Sequence, residues 1–213
     1  MANFHELIER FHNFKEEYFL KEREFFHELT HGQNPKTLVI ACCDSRVDPA
    51  ILMGCRPGDL FVVRSVAALL PEKDQVPSPD AVLAAVEYGV KHLKVDHIIV
   101  MGHSHCGGIT GLLNLNHLQH ERYIRDWVCL AKPVLDELKA EHPDADPRDL
   151  QRLCEEGTVL LSIDNLLSFD WIKSRVDAGT LSLHALYYDM SAGSLLIWNA
   201  EKEDFEHSTI FAS

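Results

Sequence analysis

Positive charge is scarce in this chain. Its 213 residues carry 20 Lys and Arg against 33 Asp and Glu, a formal net charge of −13 at pH 7, which repels phosphate backbones and anionic lipid. No segment gathers the cations into a patch, so neither nucleic acid nor a membrane surface is expected as a partner. Cysteine is sparse too. Six cysteines, at 42, 43, 55, 106, 129 and 154, are too few at this length for a disulfide scaffold. No Cys-x-x-Cys is present, and thiol redox through the adjacent Cys42 and Cys43 is disfavoured because neighbouring cysteines pair with strain. The first twenty residues lack an uninterrupted apolar segment and the Arg/Ser-rich character of a transit sequence; a cytoplasmic location is the expectation. Residues 97–120 hold no Asp, Glu, Lys or Arg, but their histidines, asparagines and glycines exclude a membrane span. Repeats and Gly/Ser- or Pro-rich linkers are likewise missing, so residues 1–213 are read as one domain, with 1–34 as a helical arm and 35–213 as its core.

What is there is a globular composition, 46% hydrophobic and 25% charged, with two hydrophobic periods. Phe4, Leu7, Ile8, Phe11, Phe14, Tyr18 and Phe19 recur at three and four, one stripe on a helix, and residues 21–29 continue it. Such an arm packs on its own domain or docks on a second subunit. After Pro35 the period shortens. Residues 37–41, 60–63 and 97–101 are short apolar runs of the kind buried on both faces of a sheet, and 79–93 returns to helical spacing between the last two. A helix is expected from about Gly107, and two more between Glu121 and Val176, the first ending near His142-Pro143. Residues 181–187 and 194–198 form a closing hairpin. The alternation predicts an α/β fold: a central, mostly parallel sheet with an antiparallel edge strand and flanking helices.

Two strands run directly into polar clusters. Leu38-Val39-Ile40-Ala41 leads into Cys42-Cys43-Asp44-Ser45-Arg46, and Ile98-Ile99-Val100-Met101 into Gly102-His103-Ser104-His105-Cys106-Gly107-Gly108. Both fall at strand carboxyl ends, where open α/β sheets bind ligands. Cys, His and Asp are zinc-ligand types, and a Cys/His/Cys set with a free fourth position fits a catalytic zinc site. In an extended segment residues two apart point the same way, so Cys42 and Asp44 share a side and Cys43 faces away. His103 and Cys106, three apart on an opening helical turn, converge, whereas His105 diverges from Cys106. The expected ligands are Cys42, His103 and Cys106, with Asp44 beside them. Taken singly, each of these residues is ordinary core material; two such clusters at equivalent strand ends are not.

These motifs resemble the β class of carbonic anhydrases, whose pattern is Cys-x-Asp-Ser-Arg followed by Gly-His-Ser/Thr-x-Cys-Gly-Gly. The likeness extends through Pro57-Gly58-Asp59-Leu60-Phe61-Val62-Val63-Arg64, Glu87-Tyr88, Asn165-Leu166-Leu167 and His184-x-x-x-Tyr188-Asp189, from about Gly32 to Trp198. It implies one Zn2+ per subunit, reversible hydration of carbon dioxide to bicarbonate by hydroxide on the metal, and N-terminal helices that wrap a partner in a homodimer or dimer of dimers. In the family, Arg46 holds the Asp44 carboxylate off the metal, and the carboxylate orients the nucleophile. Should Arg46 let go, Asp44 becomes a fourth ligand in a closed state. Family members whose closed state is stabilised by bicarbonate carry Trp where Val39 stands; Arg64 is retained, and the open-site, plant-like subtype is expected. The matching substrate-pocket positions are Gln33, Phe61, Val66 and Tyr88, with Gly107 letting backbone approach the metal, His92 as a proton carrier and Ser104 orienting a ligand.

Two departures stand out: Ser65 and Ala68 replace asparagines, and Cys43 replaces serine. Competing readings are a hydrolase of carbon disulfide or carbonyl sulfide on the same scaffold, and a non-catalytic zinc-stabilised binding protein.

Overall fold

A computed structural model describes residues 2–76 and 79–207. The chain divides into two compact units, Met1–Asn34 and Pro35–Ser213. In the first, α1 (Phe4–Phe14) starts at Asn3, whose side chain accepts from the Glu6 N–H while the Glu6 carboxylate accepts from the Asn3 N–H. This reciprocal box satisfies two of the donors a helix start leaves open. A π-helical turn over Lys15–Phe19 leads to α2 (Arg23–Leu29). The rings of Phe14, Tyr18 and Phe19 lie 5.8, 5.2 and 5.0 Å from Phe26. Phe4, Leu7, Ile8 and Phe11 remain exposed.

The second unit is built on a six-stranded sheet. Its elements run β1 (Thr37–Cys42), α3 (Pro49–Leu52), β2 (Leu60–Ser65), α4 (Ala81–Glu87), β3 (His97–His103), α5 (Gly107–Leu113), α6 (Arg122–Val128), α7 (Lys132–Glu141), α8 (Pro147–Leu167), α9 (Asp170–Asp177), β4 (Ser182–Asp189), β5 (Ser194–Asn199) and β6 (Asp204–His207). The order in space is β2-β1-β3-β4-β5-β6. The first four strands run parallel, β5 pairs antiparallel with β4, and β6 pairs antiparallel with β5 and so runs with the first four; the expected mostly parallel sheet is observed, with β6 as a further strand beyond the expected antiparallel one. Residues 122–177 hold four helices rather than two: a 3-10 turn at Cys129–Ala131 and the loop after Glu141 divide the span. Asp146 caps α8 and Pro147 opens it, a start signal the expectation passed over. Helix α4 passes at Tyr88 into a π-helical stretch to Leu93.

Strand β1 is β-branched and aliphatic, is buried almost throughout, and has a neighbour on each side. Its side chains alternate. Leu38 and Ile40 join the large core beneath α4, α8 and α9, and Val39 and Ala41 join a smaller cluster with Met101 and Leu186. Chain direction out of the sheet reverses between β1 and β3, because β2 lies to one side of β1 and β4 to the far side of β3. That crevice is the topological switch point at which doubly wound sheets bind their ligands. Among the described residues no helix is long and apolar enough to cross a membrane.

Helix α8 packs so closely on β3 that a Cβ at Gly102 stands 2.4 Å from Val159 Cγ2. Valine is stiff and buried here, so Gly102→Ala is expected to destabilise the fold by about 1–3 kcal/mol in urea unfolding. A change within about 0.5 kcal/mol, the range of neutral surface substitutions, contradicts this packing.

Candidate metal centre

The last residue of β1 is Cys42 and the last of β3 is His103, and the tight turn after β3 returns Cys106 to the same point. The turn depends on His105, which adopts a left-handed φ of 58° and points its ring to Ser191 Oγ, 3.0 Å away. Cys106 then caps α5. One ligand-type atom from each of Cys42, His103 and Cys106 lies within 4.8 Å of the others, and all three residues are buried. The two sulfurs are 3.9 Å apart, close to the about 3.8 Å that tetrahedral geometry with 2.3 Å zinc–sulfur bonds demands. Cys43 is exposed.

His103 Nδ1 lies 2.9 Å from the Ser104 carbonyl. That contact assigns the proton to Nδ1 and leaves Nε2 with its lone pair. Ser104 thus orients the ring with its carbonyl, while its hydroxyl accepts from the Met190 N–H at 2.8 Å. Among the described residues, the one buried side-chain nitrogen or oxygen without a hydrogen-bond partner is His103 Nε2. Buried polar atoms are almost always paired, so this unpaired atom facing two sulfurs fits a metal ion. Burial opposes a charge on His103, but the Cys42 sulfur, the Ser104 carbonyl and the Asp44 carboxylate outweigh it and raise its pKa. Either sulfur can donate to the other, and whichever keeps its proton stabilises its partner's thiolate, so the pair's first ionisation falls below the ordinary thiol range and its second rises above it.

Beside this group, Arg46 grips Asp44. Arg46 Nε donates to Oδ1 at 2.8 Å and Nη2 to Oδ2 at 2.6 Å, and the Arg46 N–H donates to Oδ1 at 3.0 Å. Nη2 also donates to the His105 carbonyl at 2.9 Å. These bonds hold the Asp44 carboxyl well below its usual range. Asp44 Oδ2 stands 4.0 Å from His103 Nε2, beside the three-residue group rather than in it. Arg64 fixes the loop from behind: Nε donates to the Cys42 carbonyl at 2.9 Å, and Nη2 to the carbonyls of Asp44 and Val47, each at 2.7 Å. It is a loop brace, a role the sequence did not suggest.

The pocket positions separate. Val66 packs on the start of α5, where a Cβ at Gly108 would stand 2.6 Å from Val66 Cγ1, and Gly107 is exposed at the first helical position. Both adjoin the sulfurs. Phe61 pairs with Leu38, four residues upstream of Cys42 and about 13 Å along the strand. Tyr88 lies 5.9 Å from Phe61, and His92 stacks on Tyr88 at 5.2 Å, so these three form a separate aromatic group. Gln33 belongs to the other compact unit. The Ser65 hydroxyl donates to the Leu69 carbonyl at 2.6 Å, and Ser162 to that of Ala68 at 3.2 Å. Ala68 has φ 54°, a conformation asparagine tolerates better than alanine.

Sequence reasoning missed Glu155. Its carboxylate, buried in α8, accepts from the Cys106 N–H at 2.8 Å, from Gln151 Nε2 at 2.9 Å and from the Tyr187 hydroxyl at 2.7 Å. The readable signal was a glutamate on the same helix face as Thr158, Val159, Ser162 and Leu166, all of which are buried.

A family model described as carbonic anhydrase matches residues 37–195. The chain belongs to the β class of carbonic anhydrases. It is 36% identical over 200 residues to a carbonic anhydrase of Synechocystis sp., covering 93% of this chain and 72% of that one. It is 37% identical over 202 residues to beta carbonic anhydrase 6, mitochondrial, of Arabidopsis thaliana, covering 93% and 68%. The solved β-carbonic anhydrase CcaA superposes with a TM-score of 0.93 at 34% identity, over 97% of this chain and 100% of that one. A tetrameric β-carbonic anhydrase of Sordaria macrospora superposes at 0.80 with 27% identity, over 92% and 97%.

In this β-carbonic anhydrase, Arg64→Ala strips three loop carbonyls of a charged donor and is expected to destabilise the fold by about 1.5–3 kcal/mol. Arg64→Lys should restore little, because one ammonium cannot span three acceptors. Denaturant midpoints equal to the native value for both variants contradict this brace.

Proposed function

We propose that the protein catalyses reversible hydration of carbon dioxide to bicarbonate and a proton at a zinc centre held by Cys42, His103 and Cys106. One observation carries the reading: two sulfurs and an unpaired imidazole nitrogen converge at a strand crevice, with a clamped carboxylate next to them. Zinc in such a site acts as a Lewis acid that makes water a nucleophile near neutral pH.

The chain's own residues do the rest. Arg46 holds both Asp44 oxygens, which leaves the three-residue group without a fourth protein ligand and keeps the open-site arrangement. Asp44, ionised at any working pH, accepts a hydrogen bond from the reacting water and so aims its lone pair outward. The Asp44 side chain is mostly covered whereas Arg46 is half exposed, so the acceptor is sheltered and the mouth is wet. Val66 and the α5 backbone at Gly107 supply an apolar wall for a small linear substrate.

Phe61, near the start of β2 and far from the strand's carboxyl end, does not reach this mouth, nor does Tyr88, which packs beside it, and we assign both to the mouth of a second copy in a homodimer or dimer of dimers. The exposed apolar stripe of α1 supports that assembly, as does the tetrameric Sordaria relative. His92, stacked on Tyr88, travels with them as the proton carrier. Six free thiols accord with a reducing compartment such as the cytoplasm.

Stopped-flow hydration of carbon dioxide, with zinc quantified in the same sample, tests the proposal. The loaded protein is expected to carry about one zinc per chain and to accelerate hydration, with Cys106→Ser at background. Arg46→Ala frees Asp44 and should lower the rate by about 10–100-fold. A loaded native protein no faster than Cys106→Ser overturns the reading, and faster turnover of carbonyl sulfide or carbon disulfide transfers it to those substrates.

A further inference from the structure

Helix α8 packs on β3, on β4 and on the segment that follows β2. Ser162 and Asn165 donate to the carbonyls of Ala68 and Leu70 beyond β2. Val159 and the Glu155 carbonyl abut Gly102, one residue before His103. Glu155 reaches across to Cys106 and takes the Tyr187 hydroxyl from β4. At 21 residues, capped by Asp146, the helix is a rigid frame. Glu155 is 4% exposed, and its carboxyl oxygens accept from all three of its partners. It lines a cavity of about 440 Å³ together with Ser104, Gln151, Tyr187 and two arginines, Arg148 and Arg152.

What the carboxylate does there follows from its contacts. Cys106 is 2% exposed, and Glu155 supplies the acceptor that its N–H needs. Its peptide is also the hinge between the strained His105 and the first turn of α5, and the direction of that peptide sets where the sulfur points. We propose that Glu155 is a positioning residue for the metal centre: it ties the Cys106 peptide to α8 and holds the sulfur on the point shared with Cys42 and His103. The inference rests on the reading that Cys106 is a metal ligand. It assigns the effect to reach and hydrogen bonding, not to charge.

Reach and charge are separable by substitution. Glu155→Gln keeps the length and an acceptor for the Cys106 N–H, and the Tyr187 hydroxyl can turn to accept from the new amide. Glu155→Asp keeps the charge but is one methylene short. Glu155→Ala keeps neither. The full-length, zinc-loaded proteins are challenged with excess chromophoric chelator to read the zinc release rate, and cobalt-substituted samples are read for the sulfur-to-cobalt charge-transfer band. Asp and Ala variants are expected to release zinc about 10–100-fold faster with a weakened, shifted band, and the Gln variant to stay near native in both. Native release and spectra in the Asp and Ala variants overturn the proposal. So does a native-like Asp variant beside an impaired Gln variant, which would make charge the cause.

Should the Asp and Ala chains fail to fold, the double variant Gln151→Leu/Tyr187→Phe strips Glu155 of its two side-chain donors without touching Cys106. It is expected to release zinc faster than native, and an unchanged rate overturns the proposal. Zinc retained in the expected pattern by a protein inert toward carbon dioxide sinks the hydration reading alone.

Discussion

Parallel pairing of β1 with β3 is the constraint on which the site depends. The register sets Thr37 against His97 and Ala41 against Met101, so both strands leave the sheet at the same level. Cys42 stands at the level of Gly102, one residue short of His103, so the two side chains meet at the sheet's carboxyl edge. Both strands are buried and aliphatic, and a slip of one residue would turn Leu38 and Ile40 away from the large core. Packing that stabilises the fold thereby fixes the metal-facing side chains. The further turn to Cys106 requires a left-handed residue, and His105 accepts that conformation with its ring tied to Ser191.

Around this junction almost every polar group is satisfied. Arg64 collects loop carbonyls, Arg46 collects a carboxylate and the His105 carbonyl, and Ser104 orients the imidazole from one face while anchoring Met190 from the other. Against that background the unpaired Nε2 of His103 stands out. A low-dielectric site penalises an unpaired polar atom, and the arrangement is intelligible as one completed by a cation. The division of labour between the two arginines is also clear: Arg64 sets backbone, and Arg46 sets the reactive carboxylate.

Much of this was legible in the sequence. The parallel core could be read because buried strands are short apolar runs, and the cysteine and histidine candidates because period-2 and period-3 geometry separates Cys42 from Cys43 and His103 from His105. The four helices between Arg122 and Asp177 were harder. Their breaks depend on a 3-10 turn and on an Asp-Pro start inside a continuous helical pattern, and local period alone does not show them. Among the described residues strand β6 spans only Asp204–His207 and pairs with β5, too brief for alternation to register. Glu155 was missed for a different reason: its meaning lies in contacts 32 and 49 residues away, which no window along the chain contains. The pocket residues Phe61, Tyr88 and His92 carried a resemblance, and sequence spacing could not tell which mouth they serve.

The central claim is a mixed sulfur and nitrogen shell with one position open to solvent. X-ray absorption at the zinc edge of the loaded protein tests it most directly. The account predicts two sulfurs at about 2.3 Å and two nitrogen or oxygen neighbours at about 2.0 Å. A shell with fewer than two sulfurs would contradict it.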